Sequence, residues 1–471
     1  MNSLSSRCGS LSPQWNDAVR QLLVGHLYPL DPAISHFVPN HARSEILHST
    51  SADHFPPSVW RQLTHKLRGS LDYHGQFWWL TAGYLLAALL HDAGYSKNAQ
   101  QVILTFYGHN IAPFLGVANA YGAHRWKSFM TDDHNPIELS WDWHTGNKRP
   151  TIRFSIEPVG LQAGGKGDPD NSSADTHFRE TLVRALPSMN LEWFDHFHHI
   201  LAPNKSPGGC MEGHPSKIFY AFDLGERDII SKAYFFPGFK ARAVNQSNLQ
   251  VLAEAIRTAP HCTDDQQLLA FRVFEDFVVE EATPSVEMDM LAIDMICPAQ
   301  SRLKVYFRNR QTSFDSVRQT VTMGGRLYTS SLEVGLQNLR RLWDGVLGQD
   351  GVSDDAPLPG LNHRTAGILY NMAFCLGSKL PTVKVYIPVR HYARSDWQVV
   401  TALREYMYGG NGQTKTSETA AYNNAMRSVF HENALETQRG LHTYIGCSIQ
   451  PGGDLRVVSY INAQAEKFKT R

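Results

Sequence analysis

The chain has 471 residues, 42% of them hydrophobic and 11% aromatic, enough to bury a large core. Its 44 basic and 44 acidic residues cancel, which removes any global electrostatic case for nucleic acid or an anionic membrane as partner. Six widely spaced cysteines with no C-x-x-C read as scattered reduced thiols, so neither a disulfide framework nor a zinc site is expected.

Residues 1–120 read as the N-terminal helical part of a single domain that continues through residues 121–471. Segments 58–71 and 79–92 carry helix-like apolar spacing, and Gly94 is a stop signal. The longest apolar run, Phe77 to Leu90, is short for a membrane span, is broken by Thr81 and Gly83, and is followed by His91 and Asp92. No apolar signal region opens the sequence, so a cytoplasmic protein is expected.

Over 121–471 an architecture repeats although the sequence does not. Five strand pairs are expected: 136–143 with 150–157 around a turn containing Gly146 and Asn147, 217–223 with 229–236, 287–296 with 302–308, 367–376 with 382–388, and 441–448 with 454–461 around Pro451-Gly452-Gly453. Helical stretches fall between them at 175–201, 246–279, 312–346 and 394–435, and the Gly/Asp/Ser-rich segment 160–174 reads as a solvent loop. A doubly wound sheet alternates single strands with single helices. Hairpins alternating with helix pairs fit instead an antiparallel sheet of about ten strands closed on itself, with helices outside.

Three strands repeat one device. In Lys232-Ala-Tyr234, Arg302-Leu-Lys304-Val-Tyr306 and Lys384-Val-Tyr386, period-two alternation sends cations and phenol to one face and apolar neighbours to the other. One such pair on an edge strand can simply face solvent; three of them suggest a shared polar lumen holding an anion. Glu138, Ser140 and Asp142 share one face of the first strand, and Arg153, Ser155 and Glu157 one face of its partner. Arg153, Lys232, Arg302, Lys304 and Lys384 then suit a diphosphate, with about three negative charges, better than a lone carboxylate. Aromatic faces beside them suit an apolar or cationic group.

Other clusters have plainer readings. Asp132-Asp133, Asp264-Asp265 and Asp354-Asp355 each lack the second half of a DDxxD magnesium motif, so no metal or other cofactor is expected. His196, His198 and His199 spread around a helix and read as a solvated or partly packed face; Trp141 and Trp143, opposite in parity to Glu138, read as packing against helices.

The runs SFMTDDHNPIELSW (128–141), TIRFSIEP (151–158), FDL (222–224) leading to KAYFFP (232–237), RLKVY (302–306), VKVYIP (383–388) and VVSYIN (457–462), with AGYS (93–96), resemble the fungal aromatic prenyltransferases of the dimethylallyltryptophan synthase type. The resemblance implies an αββα barrel of ten antiparallel strands ringed by helices, and transfer of a dimethylallyl group from dimethylallyl diphosphate to an aromatic acceptor. It implies that Glu138 contacts the acceptor and serves proton removal. It matches Arg153, Lys232, Arg302, Lys304 and Lys384 to diphosphate binding, and Tyr234, Tyr306, Tyr386 and Tyr460 to screening of the dimethylallyl group. Phe129 and Met130 fall where acceptor contacts precede the glutamate. Arg149 is the weaker alternative to Arg153.

The acceptor stays open between an indole alkaloid or cyclic dipeptide and a phenolic polyketide. With five cations assigned to diphosphate, no further inward cation stands out for an amino-acid carboxylate, which points away from free tryptophan. Donor length, attachment mode and oligomeric state, a homodimer included, are also open. The runner-up is a non-catalytic barrel binding an amphipathic phosphorylated ligand.

Overall fold

A computed structural model describes residues 57–118, 125–143, 149–202, 210, 212–281, 283–408 and 416–464. The proposed turn at Gly146 and Asn147, residues 1–56 of the N-terminal part, and Cys8 lie outside the described residues.

Ten antiparallel strands close into a barrel in the order β1-β10-β9-β8-β7-β6-β5-β4-β3-β2. They are β1 (Ile137–Trp143), β2 (Thr151–Ile156), β3 (Ile218–Leu224), β4 (Ile229–Phe235), β5 (Val286–Asp294), β6 (Leu303–Asn309), β7 (Ile368–Phe374), β8 (Thr382–Ile387), β9 (His442–Ile449) and β10 (Leu455–Asn462). Every expected hairpin is present, displaced by a few residues at most. Each strand pairs with its chain neighbour, and β1 closes the barrel on β10 with Glu138 opposite Asn462.

Outward-facing side chains make the core with the surrounding helices. Trp141 and Trp143 are buried there, edge-on to Tyr422 at 5.3 and 4.8 Å between ring centres. Phe154 and Phe222 meet Tyr107 and Phe106, and Phe307 meets Phe274. An aromatic ring buries about 150–250 Å², so this aromatic seam carries much of the barrel-to-helix attachment.

The apolar run near residue 80 forms two helices, Tyr73–Leu80 and Ala82–Asp92. Thr81, at φ −102° and ψ −87°, breaks them, and its hydroxyl donates to the Phe77 carbonyl at 2.8 Å. Tyr95 ties this helical part to the barrel: its hydroxyl donates to the Leu224 carbonyl at 2.6 Å and accepts from the Ile152 amide at 3.0 Å. No helix among the described residues is long and apolar enough to cross a membrane.

Segment 160–174 is not a plain solvent loop. Ala163, Asp168 and Asn171 are buried, and Asp168 accepts from the Ser172 and Ser173 amides to start the next helix. His196 and His198 bind the Ala255 carbonyl and the Asp175 carboxylate, as a packed helix face requires. The five described cysteines are all free.

Candidate active site

Even-numbered residues of β4, β6 and β8 face the lumen, so each Lys-x-Tyr pair contributes a cation low in the barrel and a tyrosine above it. The lower chamber is lined by Arg153, Lys232, Arg302, Lys304, Lys384 and, unanticipated, Arg456 of β10. Three buried or half-buried aspartates organise these cations. Arg153 bridges Asp142 at 2.5 Å and Asp223 at 2.7 Å, and Lys232 reaches Asp223 at 2.5 Å. Asp294 receives Arg302 at 2.8 Å and Lys304 at 2.6 Å, and Arg456 holds Asp142 at 2.6 Å. Burial alone would raise the Asp223 and Asp294 carboxyls, but the surrounding cations hold both well below the usual range.

With every lysine protonated, six cations against three carboxylates leave three positive charges, the magnitude a diphosphate presents. Two lysines resist that state. Burial pushes Lys304 down to about 7 despite Asp294, and Lys384 down to about 7 despite the more distant Asp142. Gly446 on β9 makes room for Lys384, since a Cβ there would stand 2.6 Å from its Cε and 3.1 Å from the Tyr460 ring.

Tyr234, Tyr306, Tyr386 and Tyr460 line both this chamber and the one above it. Successive ring centres are 5.7, 5.8 and 5.6 Å apart at tilts of 42–52°, forming a collar across the lumen. Its hydroxyls are tied down: Asn371 donates to Tyr386 at 2.8 Å, and Tyr386 donates to Tyr306 at 3.3 Å. The faces, not the hydroxyls, are what the collar offers to a guest.

Above the collar, Phe129, Met130 and Glu138 join Phe219, Met290, Leu369 and Tyr444 in a largely apolar chamber. Glu138 is half-buried and accepts from Thr443 Oγ1 at 2.5 Å. Burial pushes its carboxyl up to about 7, with Thr443 and Arg390 pulling partly the other way. It is thus a carboxylate poised to hold a proton near neutrality. Glu157 leaves the lumen beyond β2, where Trp126 and Ser216 donate to it.

All twelve site residues read from the sequence line one chamber or the other. Arg149 does not; it pairs with Glu226 and lies over Tyr95, outside the lumen. One expectation is overturned. Further inward cations do exist: Arg308 of β6 and Arg390, just after β8, both line the upper chamber. Arg308 continues the parity of Lys304 and Tyr306 along β6.

The profile of the tryptophan dimethylallyltransferase family matches residues 74–446. The chain is 33% identical over 405 residues to 4-O-dimethylallyl-L-tyrosine synthase of Claviceps purpurea, spanning 84% of this chain and 90% of that one. It is 31% identical over 408 residues to 7-dimethylallyltryptophan synthase of Aspergillus fumigatus, spanning 82% and 84%. With xanthone prenyltransferase A of Emericella nidulans the identity is 30% over 433 residues, spanning 85% and 94%. Among solved structures, AnaPT from Neosartorya fischeri superimposes with a TM-score of 0.73 at 25% identity, covering 88% of this chain and all of that one. NotF, solved with brevianamide F and DMSPP, gives 0.70 at 23% identity over 84% and 96% of the two chains, a likeness of fold.

Proposed function

Because this chain belongs to the tryptophan dimethylallyltransferase family, we propose that it is an aromatic prenyltransferase moving a dimethylallyl group from dimethylallyl diphosphate to an electron-rich aromatic acceptor. The observation that carries this reading is the tyrosine collar between a chamber where six basic side chains face three carboxylates and an apolar chamber holding Glu138.

The chemistry is set by where charge develops. Breaking the allylic C–O bond leaves diphosphate and an allyl cation. Arg153, Lys232, Arg302, Lys304, Lys384 and Arg456 stabilise the leaving group, being fixed in place before the bond breaks. Tyr234, Tyr306, Tyr386 and Tyr460 present π faces to the cation and exclude the water that would quench it. The acceptor, bounded by Phe129 and Met130, attacks from above. Glu138 accepts a hydrogen bond from its N–H or O–H, raising its electron density, and takes up the proton released.

The transfer runs without a metal ion. Supporting this is the charge arithmetic: the protein's own cations match the diphosphate, leaving no deficit for magnesium to fill. Incubation with dimethylallyl diphosphate and L-tyrosine, L-tryptophan or a hydroxyxanthone, followed by mass spectrometry for an added C5 unit, tests the activity. Adduct formation unchanged by EDTA is expected; loss on chelation with recovery on adding magnesium would overturn metal independence.

A further inference from the structure

The chain has no C-x-x-C, but one short turn gathers a thiol, a carboxylate and an imidazole. In Cys210-Met211-Glu212-Gly213-His214, Gly213 stands at φ +80° and its amide donates to the Cys210 carbonyl at 3.4 Å. Cys210 Sγ, a Glu212 carboxylate oxygen and a His214 ring nitrogen thereby come within 4.8 Å of one another. None of the three residues lines either chamber.

Packing accounts for only part of this turn. The Cys210 thiol donates to the His214 carbonyl at 2.7 Å and accepts from the His214 amide at 3.3 Å. The His214 ring lies flat on Phe129, 4.1 Å between centres, and edge-on to Phe236 at 4.6 Å. Yet His214 is 8% exposed, and neither of its ring nitrogens meets a hydrogen-bond partner among the described residues. Glu212 Oε2 is likewise buried without one, while Asn248 Nδ2 donates to Oε1 at 2.6 Å and orients the carboxylate. Buried polar atoms without partners are rare, and here three of them sit beside a buried thiol.

Arg364 does not answer them. It donates to the Glu212 backbone carbonyl at 3.2 Å, and its charge is met by Asp289 at 2.6 Å and Glu287 at 3.7 Å. Asp289 reaches inward because β5 bulges there: Met288 pairs with Phe307 and Met290 with Tyr306, leaving Asp289 as the extra residue.

We propose that Cys210, Glu212 and His214 are the ligands of a zinc ion. A thiolate and a carboxylate cancel its two charges, and a neutral imidazole completes the set. Thiolate and imidazole select zinc over magnesium and calcium, which take oxygen ligands. With bonds of about 2.0–2.3 Å, tetrahedral zinc sets its ligand atoms about 3.3–3.8 Å apart, so the turn has to close by only about 1 Å. Three protein ligands leave the fourth position to water. On binding, the Cys210 thiol gives its proton to solvent and loses its bond to the His214 carbonyl, while the His214 amide still donates to the sulfur. The ion holds His214 against Phe129, stiffening one wall of the upper chamber, and takes no part in breaking or forming the prenyl bond.

The full chain, stripped with EDTA and dialysed, would be titrated with zinc chloride by calorimetry and with cobalt chloride by absorption spectroscopy. One zinc ion per chain is expected, with proton release, and a cobalt spectrum that carries a thiolate charge-transfer band. Cys210→Ser keeps the size and the donor to the His214 carbonyl. It should lose that band and weaken zinc by more than about a hundredfold, because even a group that only orients a ligand costs about 10–100-fold. Zinc should raise the Tm of the wild type and leave that of Cys210→Ser unchanged. No saturable zinc binding, or a wild-type cobalt spectrum without the thiolate band, would overturn the site whether or not a variant folds. Zinc affinity that survives in Cys210→Ser but falls in His363→Gln would overturn it too, placing the ion on Asp132, His363 and His391.

Discussion

Lys384 Nζ donates to the Tyr460 hydroxyl at 2.9 Å, within 4.8 Å of the Tyr386 ring centre, and among the described residues no carboxylate pairs with it. The other five lower-chamber cations are each held by Asp142, Asp223 or Asp294. A lysine whose partners are phenols is a reserve of charge that only an incoming anion fully draws out.

Donor binding should therefore take up protons. With Lys384 and Lys304 pushed down to about 7, a fraction of each is neutral at pH 7.5. Diphosphate favours the charged form and raises both, so affinity should fall as pH rises above about 7. Titration of inorganic diphosphate in buffers of different ionisation enthalpy reads the uptake directly. Lys384→Gln should reduce it, and uptake unchanged in that variant would contradict the assignment.

Glu138→Gln keeps the size and much of the hydrogen bonding of the side chain while removing the base. Turnover should drop by roughly 10²–10⁴-fold with the circular dichroism spectrum unchanged. Because the carboxyl is pushed up to about 7 and must be ionised to accept a proton, wild-type kcat should climb through about pH 7. The residual activity of the variant should lack that rising limb.

Asp294 is buried between Lys304 and Arg302. Its replacement by asparagine leaves a buried lysine unpaired and should lower unfolding free energy by about 3 kcal/mol, on the scale seen when a buried ion pair loses one member. The same change removes one negative charge from the chamber. Inorganic diphosphate should then raise the variant's Tm by more than it raises that of the wild type; an equal or smaller rise would show that Asp294 does not offset the chamber's charge.

The collar should act through its faces. Tyr306→Phe keeps the ring and should transfer nearly normally, whereas Tyr306→Ala opens the lumen to water. In the alanine variant, the ratio of free dimethylallyl alcohol to prenylated acceptor should climb severalfold, measurable by chromatography of one reaction mixture. A constant ratio would mean that water exclusion resides elsewhere.

Period-two alternation made much of this site readable. Lys232 and Tyr234, or Lys384 and Tyr386, must share a face in any strand, whichever neighbour it pairs with. The counter-charges were harder because they depend on register. Asp223 sits opposite Ile230, yet its carboxylate reaches Lys232, and Asp294 serves cations on the adjacent strand. Arg308 was within reach of the same parity rule, two residues beyond Tyr306. Arg390 was not, because it lies past the end of β8 on the short helix Val389–Tyr392, where no alternation applies. Asp289 has the wrong parity for a lumenal residue of β5, and only the bulge turns it inward.

That bulge also uncouples the two ends of one strand. Residues 290–294 run in phase with Tyr306 and Lys304, whereas Val286, Glu287 and Met288 run one residue ahead. Lengthening or shortening β5 ahead of Met290 would therefore change which side chains meet the acceptor and leave Asp294 and the donor's counter-charges where they are. A barrel built this way can exchange one aromatic partner for another by slipping a few residues, while the half that breaks the allylic bond stays as it was.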